Sequence, residues 1–249
     1  MNPTIHPALG SLQGAVSLAA ALLMSGCVAS SPNEGGPDML GVSRTIELTR
    51  ESPPVHELLE ADEVILTYDD GPHPWRTKDV MTALGKECTR ATFFLLGEKA
   101  SAHPERARAL HDAGHAVGSH SMDHALLPEL EVEAAMANVR AGHAATEAAI
   151  RQSTPLFRFP YVASTPDLLD AVHAEGLIDV DVTADSKDWS GTTPNASAEL
   201  VIEALEAHER RGIILLHDPQ GNSAARTHAV LEALKENGYR IVALEIPED

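Results

Sequence analysis

Two adjacent carboxylates, Asp69 and Asp70, follow an apolar run at Val64–Tyr68 and precede a Gly71-Pro72 turn. The run is rich in β-formers and Gly-Pro stops a strand, so the acidic pair is predicted to lie where a buried strand emerges. Neighbouring carboxylates repel each other. The pair therefore indicates either the solvated start of a loop or a site where a cation or a base holds both groups.

His120 and His124 are a second candidate for chemistry, because their spacing of four places both imidazoles on one face of a helical turn. The chain has 13 histidines, so a solvated pair that arises by chance is the plain alternative. Two imidazoles and a carboxylate from another strand end would give three protein ligands and leave room for water, as in catalytic zinc sites. The same set would also accept iron, cobalt or manganese.

The elements that position these residues are predicted from alternating apolar runs and helical patterns. Strands are predicted at Val64–Tyr68, Ala91–Leu96, Ala116–Gly118, Leu156–Phe159, Leu177–Val182, Ile213–Leu216 and Arg240–Leu244, with a short one at Thr45–Leu48. Helices are predicted at Thr77–Leu84, Pro104–Ala113, Pro128–Arg151, Thr165–Glu175, Ala196–Arg210 and Ala224–Asn237. This alternation predicts an α/β fold, a distorted TIM-like (β/α) barrel of about seven parallel strands, with a doubly wound sheet as the alternative.

In such a barrel the chemistry lies at the C-terminal ends of the strands. The polar residues there are Asp69, Asp70, Ser119, His120, Asp123, His124, Arg158, Tyr161, Asp185, Asp188, Trp189, His217 and Asp218. Asp123, between the two histidines, is expected to cap a turn rather than to bind metal.

Five short motifs at these strand ends resemble those of a known enzyme family. They are Thr67–Pro72 (TYDDGP), His120–His124 (HSMDH), Arg158–Tyr161 (RFPY), Asp188-Trp189 and Leu215–His217 (LLH). In this order they resemble the polysaccharide deacetylases, metal-dependent carbohydrate esterases that share the chitooligosaccharide-deacetylase homology domain. The resemblance covers roughly residues 60 to 246 and implies the barrel fold.

The resemblance implies a metal centre and a base. Asp70, His120 and His124 would bind a divalent metal, most often Zn²⁺, with Co²⁺ or another divalent ion as alternatives. Asp69 would take the proton of the attacking water, and Arg158 would pair with Asp69 and orient it.

The resemblance also implies an acid and a substrate pocket. His217 would protonate the leaving amine, with Asp188 beside it to favour the protonated form. The backbone N–H of Tyr161 would stabilise the oxyanion, and Trp189 and Leu215 would wall the pocket for the acetyl methyl group.

Two motifs depart from the family pattern. Tyr68 stands where Phe is commoner, at a packing position that should leave the metal ligands unaffected. The third motif continues into Val162 and lacks the more usual second Pro and closing Gly, which predicts altered backbone geometry there. The loop from Trp189 to Asn195 is also short of aromatic residues for sugar binding.

The composition and charge argue against nucleic acid and anionic membranes as the main binding partners. The chain has 249 residues and a net charge of −19, so no basic block is present to neutralise nucleic-acid phosphates or an anionic membrane surface. Residues 60–249 are predicted to form the catalytic domain, and we expect a monomer. The predicted substrate is an N-acetylated polysaccharide or oligosaccharide of peptidoglycan, chitin-like or surface-glycan type. The alternatives are an O-acetyl esterase on acetylated xylan, a deformylase on a lipid-linked sugar, and a glycan-binding module without catalysis.

The first 27 residues predict export. An apolar run at Ala15–Met24 is too short to span a bilayer and is followed by small residues and Cys27. This pattern resembles a bacterial lipoprotein signal peptide, although no Lys or Arg precedes the run. Cys27 would carry the lipid, and because Cys27 and Cys88 are the only cysteines in the sequence, lipidation would exclude an internal disulfide. Residues 28–59 are predicted to form a linker and an N-terminal flank, and the protein is expected in the cell envelope.

Overall fold

The computed structural model describes residues 1, 39–49 and 51–247. The strands in these residues are β1 (Arg44–Glu47), β2 (Glu63–Gly71), β3 (Thr92–Leu95), β4 (Ala116–Ser119), β5 (Leu156–Phe157), β6 (Ile178–Asp179), β7 (Ala184–Asp185), β8 (Gly212–His217) and β9 (Arg240–Glu245). The helices are α1 (Arg76–Lys86), α2 (Gly97–Ala102), α3 (Pro104–Asp112), α4 (Val132–Ile150), α5 (Pro166–Ala174), α6 (Pro194–Ala207) and α7 (Ser223–Glu236).

The strands form one curved sheet, and every strand pairing among the described residues is parallel. Strand β2 pairs with β3 on one side and with β8 on the other, so an early and a late strand are neighbours. From β3 the order continues through β4 and β5 to β6, and from β8 to β7. This cyclic order is that of an α/β barrel, and the ring is open between β6 and β7. The prediction of a distorted parallel barrel is confirmed.

The core has layers because successive strand residues point to opposite faces. On β2, Leu66 and Tyr68 pack outward against the helices, whereas Ile65 points into the barrel. The interior is filled by apolar side chains that include those of β1 and β9: Ile46, Ile65, Phe94, Leu156, Ile213, Val242 and Leu244. Thr67 and Asp69 follow Ile65 on the same face. The inward layer therefore changes from apolar to polar towards the C-terminal end of β2.

Two elements differ from the sequence expectation. Helix α2 was not predicted, since its six residues are too few to show a 3.6-residue period. The run predicted as one strand at Leu177–Val182 contains only β6, and a further short strand, β7, follows it. Between them, the N–H of Val180 still donates to the carbonyl of Phe157 on β5, whereas the carbonyls of Val180 and Asp181 accept hydrogen bonds from Arg158.

The described part of the N-terminal flank packs onto the barrel. Strand β1 pairs in register with β9, from Arg44 opposite Val242 to Glu47 opposite Glu245. The predicted export segment, including Cys27, lies outside the described residues. Within the described ranges, none of the helices has both the length and the apolar character needed to cross a bilayer.

Candidate functional site

The Asp69-Asp70 pair lies at a break in the β2–β3 register. Asp69 lies opposite Phe94 and Gly71 lies opposite Leu95, so Asp70 is an extra residue in the ladder. Its φ angle of 68° is in the left-handed region. Adjacent residues of a regular strand point to opposite faces, whereas a bulge re-aims a side chain. The bulge explains how both carboxylates come to face the same site.

Asp70, His120 and His124 come together at this edge. Their ligand atoms all lie within 4.8 Å of one another, and no other such group occurs among the residues that the structure describes. Asp70 Oδ1 is 3.2 Å from His124 Nε2 and 3.6 Å from His120 Nε2. This oxygen is buried and has no hydrogen-bond partner. A buried carboxylate oxygen that faces two imidazole nitrogens fits a bound divalent cation.

The environment of His120 suits a metal ligand. Its Nδ1 lies 2.8 Å from the carbonyl oxygen of Arg158, which can only accept, so Nδ1 carries the hydrogen and Nε2 keeps its lone pair. Burial lowers the pKa of His120 and outweighs the opposing charges of Asp69 and Asp70. The imidazole is therefore held neutral, as coordination requires.

Asp69 is buried and paired with Arg158. Arg158 Nη1 donates to Asp69 Oδ1 at 2.8 Å, and both side chains are almost fully enclosed. Asp69 Oδ2 lies 3.7 Å from His120 Nε2, so the second oxygen faces the candidate metal group. The arrangement fixes the carboxylate with one oxygen held and the other directed into the site.

Arg158 also links β2 to the segment that follows β6. Its Nη1 donates to Thr67 Oγ1 at 2.6 Å, its Nε to the carbonyl of Val180 at 2.8 Å, and its Nη2 to the carbonyl of Asp181 at 2.9 Å. The guanidinium lies 4.3 Å from the centre of the Phe94 ring. These contacts satisfy a cation that has no access to water.

His217, at the end of β8, is held by Asp188. Asp188 Oδ1 lies 2.7 Å from His217 Nδ1, and Asp188 Oδ2 accepts from the backbone N–H of His217 at 2.8 Å. Burial lowers the pKa of His217, but the hydrogen bond and charge of Asp188, with the charges of Asp69 and Asp70, outweigh it and raise the pKa to about 9. This pKa favours the protonated imidazole at neutral pH, and Asp188 occupies Nδ1 rather than Nε2.

The predicted substrate contacts lie around the same edge. Tyr161 is 63% exposed, and its ring packs edge-on against His124 with centroids 4.4 Å apart. Trp189 is 55% exposed, directly after Asp188, and Leu215 is buried two residues before His217. The φ angles of Tyr161 and Val162 are 59° and 52°. The third motif therefore has two successive left-handed residues, an unusual conformation for a β-branched side chain.

Three polar residues beneath the Asp70 bulge were not assigned a role from the sequence. Lys99 donates to the carbonyl of Asp70 at 2.8 Å, and Asp218 accepts from the hydroxyl of Thr77. Thr77 and Lys99 lie outside the five motifs, so only the folded chain reveals these contacts. Asp123 accepts from the backbone N–H of Ala125 at 3.2 Å, which agrees with the predicted turn cap.

The family model and the similar proteins of known function all point to the same family. Residues 58–178 match the family model described as polysaccharide deacetylase. A chitooligosaccharide deacetylase of Bradyrhizobium sp. (strain ANU 289) is 32% identical over 188 residues, which cover 73% of this chain and 84% of that protein. Peptidoglycan-N-acetylmuramic acid deacetylase PdaC of Bacillus subtilis (strain 168) is 28% identical over 211 residues, which cover 80% of this chain but only 44% of that protein.

Solved structures agree with the sequence matches. The Bdellovibrio bacteriovorus peptidoglycan deacetylase Bd3279 superposes with a TM-score of 0.76 at 27% identity, covering 90% of this chain and 64% of that one. A family 4 carbohydrate esterase from Streptomyces lividans, solved with acetate, superposes with a TM-score of 0.64 at 30% identity, covering 73% of this chain and 91% of that one. On this fold, these matches and these motifs, the chain belongs to the polysaccharide deacetylase family.

Proposed function

We propose that this protein is a hydrolase that removes N-acetyl groups from the amino sugars of a polysaccharide, of peptidoglycan, chitin-like or surface-glycan type. One observation carries the proposal: a candidate three-ligand centre, a buried Asp69–Arg158 pair and a His217–Asp188 pair with a buried carboxylate meet at one edge of the barrel. Relatives named as chitooligosaccharide and peptidoglycan deacetylases support the same chemistry.

The proposed cofactor is one divalent metal held by Asp70, His120 and His124. When bound, it would polarise the substrate carbonyl and lower the pKa of a water ligand towards about 7. We propose Zn²⁺, because two imidazoles and one carboxylate form a catalytic zinc ligand set. Co²⁺ or another divalent ion would fit the same residues. Elemental analysis of the purified protein, followed by reconstitution of metal-stripped protein with each ion, identifies the metal.

Asp69 acts as the general base in this proposal. Arg158 holds Oδ1, so Oδ2 is the oxygen that accepts a proton from the attacking water. Because Arg158 is buried and positively charged, it keeps Asp69 in place and stabilises its charge. Attack of the water oxygen on the acetamide carbon then places negative charge on the carbonyl oxygen.

His217 acts as the general acid. Asp188 holds Nδ1, so Nε2 donates its proton to the sugar nitrogen as the carbon–nitrogen bond breaks. The products are acetate and a free amine. A general acid of this kind contributes roughly 10²–10⁴-fold to the rate.

The substrate is positioned by residues at the rim. The backbone N–H of Tyr161 donates to the developing oxyanion, an interaction worth about 3 kcal/mol. Leu215, which is buried, and Trp189, which is half-exposed and follows Asp188, wall the space for the acetyl methyl group.

The proposal is tested by acetate release from N-acetylglucosamine oligomers. The wild-type protein with metal should release acetate and Asp69→Asn should not, while both retain bound metal. Release from acetylated xylan alone would instead make the protein an O-acetyl esterase, and release of formate from a formylated lipid-linked sugar alone would make it a deformylase. Bound metal without release from any of these acylated glycans would contradict an enzymatic role and favour a glycan-binding module.

We further propose that residues 1–27 direct export, that residues 28–59 form a linker and flank, and that residues 60–249 form the catalytic domain of a monomer attached to the membrane only through a lipid on Cys27. Relatives that act on peptidoglycan by name support an envelope location. Wild-type protein in a bacterial host should incorporate labelled fatty acid and partition with membranes, whereas Cys27→Ser should do neither. A disulfide between Cys27 and Cys88 in the mature protein would contradict lipidation, because it uses the same thiol. Light scattering tests the monomer.

A further inference from the structure

The bulge at Asp70 needs support from outside β2. A non-glycine residue in the left-handed region is disfavoured, and such residues persist only where the surroundings over-determine them. Asp70 is in this conformation with φ at 68°. Its backbone sets where its carboxylate points, so whatever holds the bulge also sets the geometry of the candidate metal group.

Two residues that follow β3 donate hydrogen bonds to the carbonyl groups of the bulge. Lys99 Nζ donates to the carbonyl of Asp70 at 2.8 Å, and the backbone N–H of Leu96 donates to the carbonyl of Gly71 at 3.0 Å. Lys99 belongs to α2, the helix that the sequence pattern did not predict. A lysine ammonium bonded to a carbonyl fixes the orientation of that peptide plane.

The other side of the bulge packs against Asp218. This residue has no exposed surface, although it follows His217 directly in the chain. A Cβ atom at Gly71 would lie 2.5 Å from Asp218 Oδ1 and 2.9 Å from Oδ2. The φ angle of Gly71 is not among the positive ones, so the Asp218 carboxyl group, rather than the backbone conformation, excludes a side chain at this position.

Thr77 connects Asp218 to the turn after the bulge. Its hydroxyl donates to Asp218 Oδ2 and accepts from the backbone N–H of His73 at 2.7 Å. Thr77 is 1% exposed and lies in the first turn of α1. The carboxyl group and the hydroxyl therefore brace the Gly71–His73 backbone against α1.

We propose that Lys99, Thr77 and Asp218 are positioning residues that hold the Asp70 bulge and thereby set the affinity of the site for metal. The proposal rests on the metal centre of the proposed function. It adds three residues to which the family motifs assign no role. None of the three belongs to the candidate metal group or to the proposed substrate contacts. They act through the backbone of Asp70–His73.

The test compares matched variants by Zn²⁺ affinity, measured by competition with a chromophoric chelator. Thr77→Val and Lys99→Met remove the contacts and should weaken Zn²⁺ binding about 10- to 100-fold, the usual cost of losing an outer-shell partner. Thr77→Ser keeps the hydroxyl and should stay within about threefold of wild type. Asp218→Asn keeps an acceptor for the Thr77 hydroxyl, so its Zn²⁺ affinity should lie between that of Thr77→Ser and that of Thr77→Val. At saturating Zn²⁺, Thr77→Val and Lys99→Met should lower kcat more than they change KM.

Thr227→Val is the control, because Thr227 is also a buried threonine bonded to a β2 side chain, the hydroxyl of Tyr68 at 2.9 Å. It should lower thermal stability and leave Zn²⁺ affinity unchanged. Cooperative unfolding of each metal-free variant shows that it is folded. Wild-type Zn²⁺ affinity in folded Thr77→Val and Lys99→Met would overturn the positioning role and leave the proposed function intact. A wild-type protein that takes up no Zn²⁺ would overturn both.

Discussion

Asp188→Asn tests the acid side of the site. The substitution keeps the size of the side chain and an oxygen that can accept from His217 Nδ1, but it removes the negative charge. In the native protein Asp188 makes two contacts with His217, at 2.7 Å to Nδ1 and at 2.8 Å to the backbone N–H. The variant therefore isolates the contribution of the charge from that of packing.

The size of the effect follows from the pKa of His217. Burial alone would lower the pKa from its ordinary value of 6.5, yet Asp188, Asp69 and Asp70 raise it to about 9. This difference is worth about 3 kcal/mol at about 1.4 kcal/mol for each pH unit. The raised pKa contributes stability that is fully present below about pH 6.5 and is lost as the pH rises through about 9. Without the Asp188 charge, burial should dominate and bring the pKa towards or below 6.5.

The assay is the pH dependence of kcat/KM for acetate release at saturating metal. A bound cation repels the imidazolium and lowers its pKa in both proteins, so the two metal-loaded enzymes are compared with each other. Wild type should lose activity on the alkaline side as His217 loses its proton. In Asp188→Asn this limb should move at least one pH unit lower, and kcat at pH 7 should fall about 10- to 100-fold.

Asp181→Asn serves as the control, because Asp181 pairs with His56 in a half-exposed ion pair and makes no contact with His217. Its alkaline limb should coincide with that of wild type. An alkaline limb that stays in place in Asp188→Asn would refute the reasoning, since Asp188 would then not set the protonation of the acid.

Three further outcomes are expected. Arg158→Met should lower kcat about 10- to 100-fold. It should also lower the free energy of unfolding, measured in urea, by about 3–5 kcal/mol, because it leaves Asp69 buried and unpaired. Unchanged unfolding in urea would contradict the buried pair. Val162→Gly should leave the melting temperature unchanged or raise it. Relief of the left-handed, β-branched residue is worth about 1–2 kcal/mol, and the greater chain entropy of glycine offsets about 0.5–1 kcal/mol of this. Val162→Ala, which retains a Cβ, is the control, and a fall of several degrees in the glycine variant alone would argue against strain. Zn²⁺ at 100 times its Kd should stabilise metal-stripped protein by about 2.7 kcal/mol in calorimetry, and His124→Ala should lose this dependence.

The order of elements and most of the site residues could be predicted because both leave signals in residue type. Apolar runs end at Asp69, Arg158 and His217, and the parallel barrel brings such ends to one edge. The pairing of Arg158 with Asp69 and of Asp188 with His217 was implied by the family motifs, and the structure places both pairs in contact. The roles of these residues in catalysis stay predictions.

The features that could not be predicted depend on backbone geometry or on pairs distant in sequence. A bulge adds one residue to a ladder and leaves the apolar pattern of β2 unchanged, so the left-handed Asp70 has no sequence signature. At the break between β6 and β7, the carbonyls of Val180 and Asp181 accept hydrogen bonds from Arg158, about twenty residues earlier in the chain. No local pattern contains that information.

The central claim is that the two adjacent carboxylates have different roles, with Asp70 as metal ligand and Asp69 as base. The direct measurement is Zn²⁺ titration of metal-stripped Asp69→Ala and Asp70→Ala, paired with acetate release by each variant. We expect Asp70→Ala to lose Zn²⁺ affinity, and Asp69→Ala to bind Zn²⁺ but release no acetate. Equal loss of Zn²⁺ binding in both variants, or retained turnover in Asp69→Ala, would contradict the claim.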